Sequence, residues 1–231
     1  FAHSKGVIHR DLKPANVMVG RFGEVQIMDW GVAKIVGRKE DTHDRLVVSD
    51  RQEDDANRTM AGSILGTPSY MSPEQARGEV NYMGPTSDIF SLGVILYELL
   101  ALKTPWTAQT SAQVLDQVKN FNPEPPSKMS PDRKIPPELE QLALKCIEKM
   151  PHKRIQTVQE LVENLRSWQE GRTLAAVEYS MVQLFSKWVA RNKVAVLGVT
   201  AVLAALIIGV VVTYNQVKQG EIDRANERVI A

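Results

Sequence analysis

The sequence predicts a mainly α-helical domain with one small β hairpin, followed by a single membrane-spanning helix. Three observations carry this reading. From Asp88 onward, Ile89, Leu92, Ile95, Leu96, Leu99 and Leu100 fall at helical spacing with apolar residues nearly all round, the pattern of a helix buried in the middle of a domain. Val17-Met18-Val19 and Val25-Gln26-Ile27 are short apolar runs separated by Gly20-Arg21-Phe22-Gly23, which suits a hairpin beside a loop. Finally, no charged residue occurs from Val194 to Val217, and Val194 to Thr213 holds only Val, Ala, Leu, Ile, Gly and Thr. At about 1.5 Å per residue that run covers the roughly 30 Å apolar core of a bilayer.

The remaining elements follow in chain order. Gly37 to Arg58 carries 12 charged residues out of 22, with Leu46, Val47 and Val48 as its only large aliphatics. Such a composition does not bury enough surface to order itself, and a mobile insertion is expected there. Ser111 to Lys119, with Val114, Leu115 and Val118, predicts a helix. So does Pro137 to Met150, opened by Pro136-Pro137 and closed before Pro151. Between them, Pro123 to Pro137 reads as a long surface connection. Thr157 followed by Glu160 is a capping box for a helix running to Gln169, with Leu161, Leu165 and Trp168 on one face. The expected organisation is a domain over 1–170, a juxtamembrane helix or linker over 171–193, a transmembrane helix over 194–214, and the start of an extracytoplasmic region over 215–231. The alternative for the apolar run is a buried core helix, but such helices rarely extend 20 residues without a charge. Its position excludes a cleaved signal peptide.

Composition removes several function classes. The 231 residues contain 28 Lys+Arg against 27 Asp+Glu, a net charge of +1, so nucleic-acid binding by counterion release is not expected. A single cysteine, Cys146, forms no internal disulfide framework and argues against a secreted mini-domain. The chain starts at Phe1 rather than Met and ends at Ala231 in mid-pattern, which reads as a fragment cut at both ends.

The chemistry concentrates in the first third, where His9-Arg10-Asp11-Leu12-Lys13-Pro14-Ala15-Asn16 precedes Asp29-Trp30-Gly31. Further on come Gly66-Thr67-Pro68-Ser69-Tyr70-Met71-Ser72-Pro73-Glu74, then Asp88, then Arg154 after Pro151-His152-Lys153. Five marks in this order over about 145 residues resemble the catalytic half, the C-terminal lobe, of a protein kinase. The wording Ser72-Pro73-Glu74-Gln75-Ala76-Arg77-Gly78 is most like bacterial relatives of eukaryotic Ser/Thr kinases. The physical demands of phosphoryl transfer agree with it: a carboxylate to orient the attacking hydroxyl, oxygen ligands for Mg²⁺, and positive charge on the developing oxyanion. By resemblance these are Asp11, Asn16 with Asp29, and Lys13, with ATP as the phosphoryl donor. Asp11 and Asn16 sit five apart on a loop bracketed by Pro14, and no His or Cys cluster competes for the metal.

The resemblance also assigns supporting roles. Asp88 holds the backbone of the catalytic loop, Glu74 pairs with Arg154, and Thr67 belongs to the end of the activation segment. Arg10 is either a plain surface charge or, as in the family, the receiver of an activation-segment phosphate, for which Thr59 and Ser63 are the candidate acceptors. With Asp11 filling the base role, His9 reads as a packed structural residue. Cys146 reads as core, and His43 and His152 have no evident partners. Trp30 departs from the family's Asp-Phe-Gly and Ser72 from its Ala-Pro-Glu. No Gly-x-Gly-x-x-Gly loop or strand lysine precedes His9, so the N-terminal lobe is expected upstream and the chain alone is expected to be inactive.

Three functional readings stand side by side. The first is a membrane-anchored Ser/Thr protein kinase, the second a pseudokinase receptor scaffold, the third a small-molecule phosphotransferase. Lys13 and the Gly66 to Glu74 platform for a peptide substrate argue against the third, and intact Asp11, Asn16 and Asp29 against the second. Lys187, Arg191 and Lys193 before the span are matched in number by Lys218, Arg224 and Arg228 beyond it, so charge alone leaves orientation open. The need for ATP and a reduced cysteine places the kinase part in the cytoplasm, on the inner membrane. Leu174, Val177, Met181, Leu184 and Trp188 form a short a/d stripe, and Ala201, Ala205 and Gly209 a small-residue face. A homodimer and a monomeric helix remain equally open from these.

Overall fold

The computed structural model describes residues 1–35, 68–177 and 179–230. The expected mobile insertion, His43, Thr59, Ser63 and Thr67 lie outside them. The chain divides into two compact units, Phe1–Glu178 and Tyr179–Ala231.

Among the described residues the first unit is helical, with two small two-stranded antiparallel sheets. Strands β1 (Val7–Ile8), β2 (Val17–Val19), β3 (Val25–Ile27) and β4 (Lys34–Ile35) pair as β2 with β3 and β1 with β4. The hairpin β2–β3 is in the expected place, with Val17 opposite Ile27 and Val19 opposite Val25. Its turn is closed by Gly20 N–H donating to Glu24 O at 2.8 Å, and Gly23 takes the left-handed conformation (φ 86°) that the turn requires. The pairing of β1 with β4 was not anticipated, because two-residue strands leave no periodicity to read.

The helices are α1 (Pro73–Ala76), α2 (Pro85–Ala101), α3 (Ser111–Asn120), α4 (Pro126–Met129), α5 (Pro137–Cys146) and α6 (Val158–Gln169). Pro85 starts α2 where its missing N–H costs nothing. This helix is central, but its buried positions are Ser87 to Ser91, Gly93, Val94, Tyr97 and Ala101, while Leu99 is exposed. The core therefore follows a narrower stripe than an all-round apolar helix implies. Phe90, Val94, Tyr97, Trp106, Val114, Val118 and Ile147 form one buried cluster, with the Phe90 and Trp106 rings stacked at 5.7 Å. Helices α2 and α5 pack closely, and a Cβ on Gly93 would collide with Cys146.

One boundary, one cap and one connection differ from the sequence reading. Helix α5 stops at Cys146 rather than Met150: Ile147 leaves helical geometry (φ −96°, ψ 19°) while its N–H still donates to Ala143 O, and the carbonyls of Glu148 and Lys149 beyond it accept from Arg154. Thr157 caps α6 by accepting from Glu160 N–H at 3.0 Å, but the Glu160 carboxylate reaches the amide of Gln156, one residue before the expected box partner. The connection between α3 and α5 contains the single turn α4.

Lys149 is the least comfortable charge in this unit. Its ammonium donates to Val118 O at 2.5 Å and sits 4.2 Å from the Trp106 ring centre. Burial, with the nearby Arg77 and Arg154 charges, lowers its pKa from 10.5 to about 8. The folded protein thus releases this proton at lower pH than the unfolded chain, so stability rises as pH increases past about 8. Cys146 and Tyr97, both pushed up to about 12 by burial, act in the opposite sense once their unfolded values of 9.0 and 10.0 are passed. Between about pH 8 and 9 the unfolding midpoint should climb in the wild type and stay flatter in Lys149→Met. Parallel curves for the two proteins would remove Lys149 as the cause.

The second unit comprises α7 (Met181–Arg191) and α8 (Lys193–Ile230). Within α8, the 28 residues Lys193–Gly220 are long and apolar enough to cross a membrane, and none of the apolar window is buried. Leu174 and Val177 are buried in the first unit, so two of the five residues of the a/d stripe are unavailable for helix pairing.

Candidate active site

The loop after β1 is held by a buried carboxylate. Asp88, in the first turn of α2, accepts from His9 N–H at 2.8 Å and Arg10 N–H at 2.9 Å. Its Oδ2 also accepts from His3 Nε2 at 2.7 Å. Arg10 itself adopts φ 74°, a left-handed conformation that costs a non-glycine residue about 1–2 kcal/mol. Both sides of Arg10 are pinned: its N–H by Asp88 and its carbonyl by Gln75 Nε2 at 2.6 Å. The loop conformation is thus imposed by α1 and α2 rather than chosen locally.

That conformation delivers the polar residues to one place. Asn16 Nδ2 donates to Asp11 Oδ2 at 3.0 Å and to Asp11 O at 2.8 Å. Lys13 Nζ lies 3.0 Å from the same Asp11 Oδ2, with both side chains partly buried. The turn Pro14–Asn16 closes the spacing of five between Asp11 and Asn16. The hairpin places the backbone of Asp29 beside this loop: Met28 N–H donates to Asn16 O at 2.9 Å, which sets Asp29 one residue past the point opposite Asn16. Asp29 also carries a positive φ of 57°. Arg10 and Asp29 thus both hold a conformation that is strained for a non-glycine residue.

His9 has no free nitrogen for proton transfer. Its Nε2–H donates to Met28 O at 2.9 Å and its Nδ1 accepts from Asp11 N–H at 3.2 Å, which fixes the neutral tautomer. Trp30 meets the His9 ring edge-on at 4.6 Å, and its indole N–H donates to Ile27 O at 2.9 Å. His9 therefore ties the loop after β1 to the segment carrying Asp29.

Glu74 and Arg154 form a buried bidentate pair, with Nη1 to Oε1 and Nη2 to Oε2 both at 2.8 Å. Ser87 Oγ donates to the same carboxylate at 2.8 Å. Burial pushes the Glu74 pKa up, but the Arg154 guanidinium and these hydrogen bonds outweigh it and hold the carboxyl below its ordinary value. Sequence reasoning missed His3 and Gln75 as supports of the loop. Neither has a local signal, since each acts across more than 60 residues of chain.

Asn16 Oδ1, left over once the amide N–H groups are used on Asp11, and the Asp29 carboxylate are hard oxygen donors of the kind Mg²⁺ takes. Among the described residues no three His, Cys, Asp or Glu side chains gather to hold a metal by themselves. The donor set therefore fits a cation that shares its ligands with phosphate and water rather than one in an all-protein cage.

A helical lobe carrying a carboxylate, lysine and asparagine on one strained loop, with a second aspartate across a hairpin, defines the class: the chain belongs to the protein kinase family, whose domain matches residues 1–165. Proteins of this family use ATP and a divalent metal. The chain is 36% identical over 173 residues to the serine/threonine-protein kinase PknD of Protochlamydia amoebophila, covering 75% of this chain and 17% of that protein. It is 40% identical over 176 residues to PknD of Chlamydia trachomatis serovar D, covering 74% and 18%. PknD of Chlamydia pneumoniae is 37% identical over 172 residues, with the same coverage of 74% and 18%. The chain thus spans less than a fifth of the length of the curated relatives it matches.

Proposed function

We propose that this chain supplies the metal and peptide side of the cleft in a membrane-anchored Ser/Thr protein kinase that transfers the γ-phosphate of ATP to protein hydroxyls. The observation that carries the proposal is the convergence of Lys13 and Asn16 on the Asp11 carboxylate, each at 3.0 Å. Asp11 accepts the hydrogen bond of the incoming Ser or Thr hydroxyl and orients it for in-line attack. Lys13 supplies positive charge to the phosphoryl oxygens, and its pairing with Asp11 in the absence of substrate keeps both side chains in position. Asn16 Oδ1 and Asp29 hold Mg²⁺, which neutralises charge on the nucleotide phosphates when bound. Arg10, on the pinned loop, receives a phosphate on the activation segment, with Thr59 and Ser63 as acceptors. The anchor is α8, and the domain over 1–170 lies on the cytoplasmic face of the inner membrane, where ATP is.

Both halves of the proposal are tested on the full-length protein and on this chain. The full-length protein with Mg²⁺ and ATP should place phosphate on Ser and Thr and not on Tyr of a peptide mixture, read by mass spectrometry. The 231-residue chain, expressed in bacteria, should stay with membranes through an alkaline wash. A chain ending at Glu178, which keeps the buried Leu174 and Val177, should be released. Phosphotyrosine as the main product would overturn the Ser/Thr reading, and equal partitioning of the two chains would overturn the anchor.

A further inference from the structure

Helix α7 presents an apolar face at the very point where the chain reaches the apolar stretch of α8. At about 100° per residue, Met181, Val182, Leu184, Phe185, Trp188 and Val189 fall within one arc of about 160°. Gln183, Ser186 and Lys187 fall outside that arc, and Arg191 lies at its edge. The apolar arc is uncovered within its unit: Met181 is 81% exposed, Val182 78%, Phe185 64% and Trp188 52%. Phe185 and Trp188 stack with their ring centres 6.1 Å apart, making a flat aromatic plate on that face. Lys187 and Arg191, four residues apart, line one border of the arc, and Lys193 follows directly. Lys187 Nζ also lies 5.0 Å from the Tyr179 ring centre.

The junction is short. Helix α7 ends at Asn192, whose N–H and Nδ2 both donate to Trp188 O, at 3.0 and 2.9 Å. Asn192 O then accepts from Val196 N–H at 2.9 Å and so opens α8. One non-helical residue (φ −112°, ψ 39°) therefore separates the aromatic face from the segment long and apolar enough to span a bilayer.

A second copy of the chain is a poor occupant for this face. With Leu174 and Val177 buried in the first unit, the a/d stripe is reduced to Met181, Leu184 and Trp188, less than two heptads. Val182 and Phe185, among the most exposed apolar residues, lie off that stripe. An arc with aromatic residues inside it and cations along its border, continuous with a span, matches the chemistry of the bilayer interface.

We propose that α7 lies in the headgroup layer of an anionic leaflet, with Met181, Val182, Phe185 and Trp188 at the acyl boundary and Lys187, Arg191 and Lys193 on lipid phosphates. The proposal rests on the reading of α8 as a membrane anchor. Long basic side chains bordering an apolar arc lay their stems along it and extend their charges to the phosphates, and anionic lipid strengthens the attachment.

The test uses the full 231-residue chain in vesicles, with an environment-sensitive dye on single cysteines at Val182→Cys, Phe185→Cys, Gln183→Cys or Ser186→Cys. Cys146 is fully buried and its thiol is pushed up to about 12, so it stays unlabelled. In vesicles of mixed zwitterionic and anionic phospholipid, positions 182 and 185 should be quenched by aqueous iodide several-fold less than 183 and 186. This difference should shrink in purely zwitterionic vesicles and in the Lys187→Glu/Arg191→Glu variant. Equal quenching at all four positions in chains that resist an alkaline wash would overturn the interfacial helix while leaving the anchor standing. Release of the chain by that wash would overturn both. Shielding that follows protein-to-lipid ratio and ignores lipid charge would overturn the proposal in favour of pairing between copies.

Discussion

In the full-length protein, Asp11→Asn should lower phosphoryl transfer by about 10²–10⁴-fold, the usual worth of a positioned general base, while nucleotide affinity stays near the wild-type value. The substitution is nearly isosteric and retains an oxygen facing Asn16 Nδ2, now 3.0 Å from Asp11 Oδ2. Backbone support is untouched, because the loop is held through the amides of His9 and Arg10 on Asp88 and not through the Asp11 side chain. What disappears is the negative charge that balances Lys13 at 3.0 Å and, in the proposed role, accepts the substrate hydroxyl. Asp29→Ala should behave differently, weakening Mg²⁺-nucleotide binding itself. The measurement is kcat for peptide phosphorylation alongside nucleotide affinity by titration. A variant lacking Asp11 that turns over at the native rate would remove it from the chemistry.

The two kinds of residue in this site differ in how readable they are. Asp11, Lys13, Asn16 and Asp29 lie within 19 positions of one another, so motif spacing brings them to notice and a hairpin with a tight turn is enough to assemble them. The residues that impose the shape are scattered. Gln75 grips the Arg10 carbonyl across 65 residues and His3 meets Asp88 across 85, and nothing in the sequence around either one announces that partner. The same division holds for the fold. Long helices with caps, such as α3 behind Thr110 and α6 behind Thr157, carry their own start signals. The segment after α5 is shaped instead by Arg154, which takes the carbonyls of Glu148 and Lys149 and gives no local signal of doing so, and the β1–β4 pairing is too short to show periodicity. The sequence shows Met181, Leu184 and Trp188 only as part of a five-residue stripe; the burial of Leu174 and Val177 ends that stripe, and the exposure of Val182 and Phe185 beside it makes the face a wider arc.

Removing Arg154 should be the most damaging single change to the stability of the first unit. The guanidinium has five N–H donors, and all five are used: Nε on Glu148 O at 2.7 Å, Nη1 on Glu74 Oε1 and Thr86 O, Nη2 on Glu74 Oε2 and Lys149 O. The group is 3% exposed and lies 4.9 Å from the Phe90 ring centre, so it is packed as well as bonded. Arg154→Met keeps much of the volume but leaves the Glu74 carboxylate buried with Ser87 as its remaining side-chain partner. Losing one member of a buried pair costs about 3–5 kcal/mol, whereas replacing both with apolar residues costs far less, so Glu74→Leu/Arg154→Met should recover part of the loss. Arg154→Lys should not rescue it, since an ammonium has three donors and no planar fork to match the carboxylate. The pH dependence has a definite sign. The Glu74 carboxyl is held below its ordinary 4.5, so its contribution is complete above that pH and is lost as pH falls through the lower folded value. Glu74→Gln should therefore flatten the acid limb of the stability curve. The damage should also reach the site, because Glu74 and Gln75 are neighbours on α1 and Gln75 holds the strained Arg10 carbonyl at 2.6 Å. Thermal unfolding of the chain in detergent, followed by tryptophan fluorescence, gives the stability order. A double variant no more stable than Arg154→Met would show that the uncompensated carboxylate is not the source of the loss.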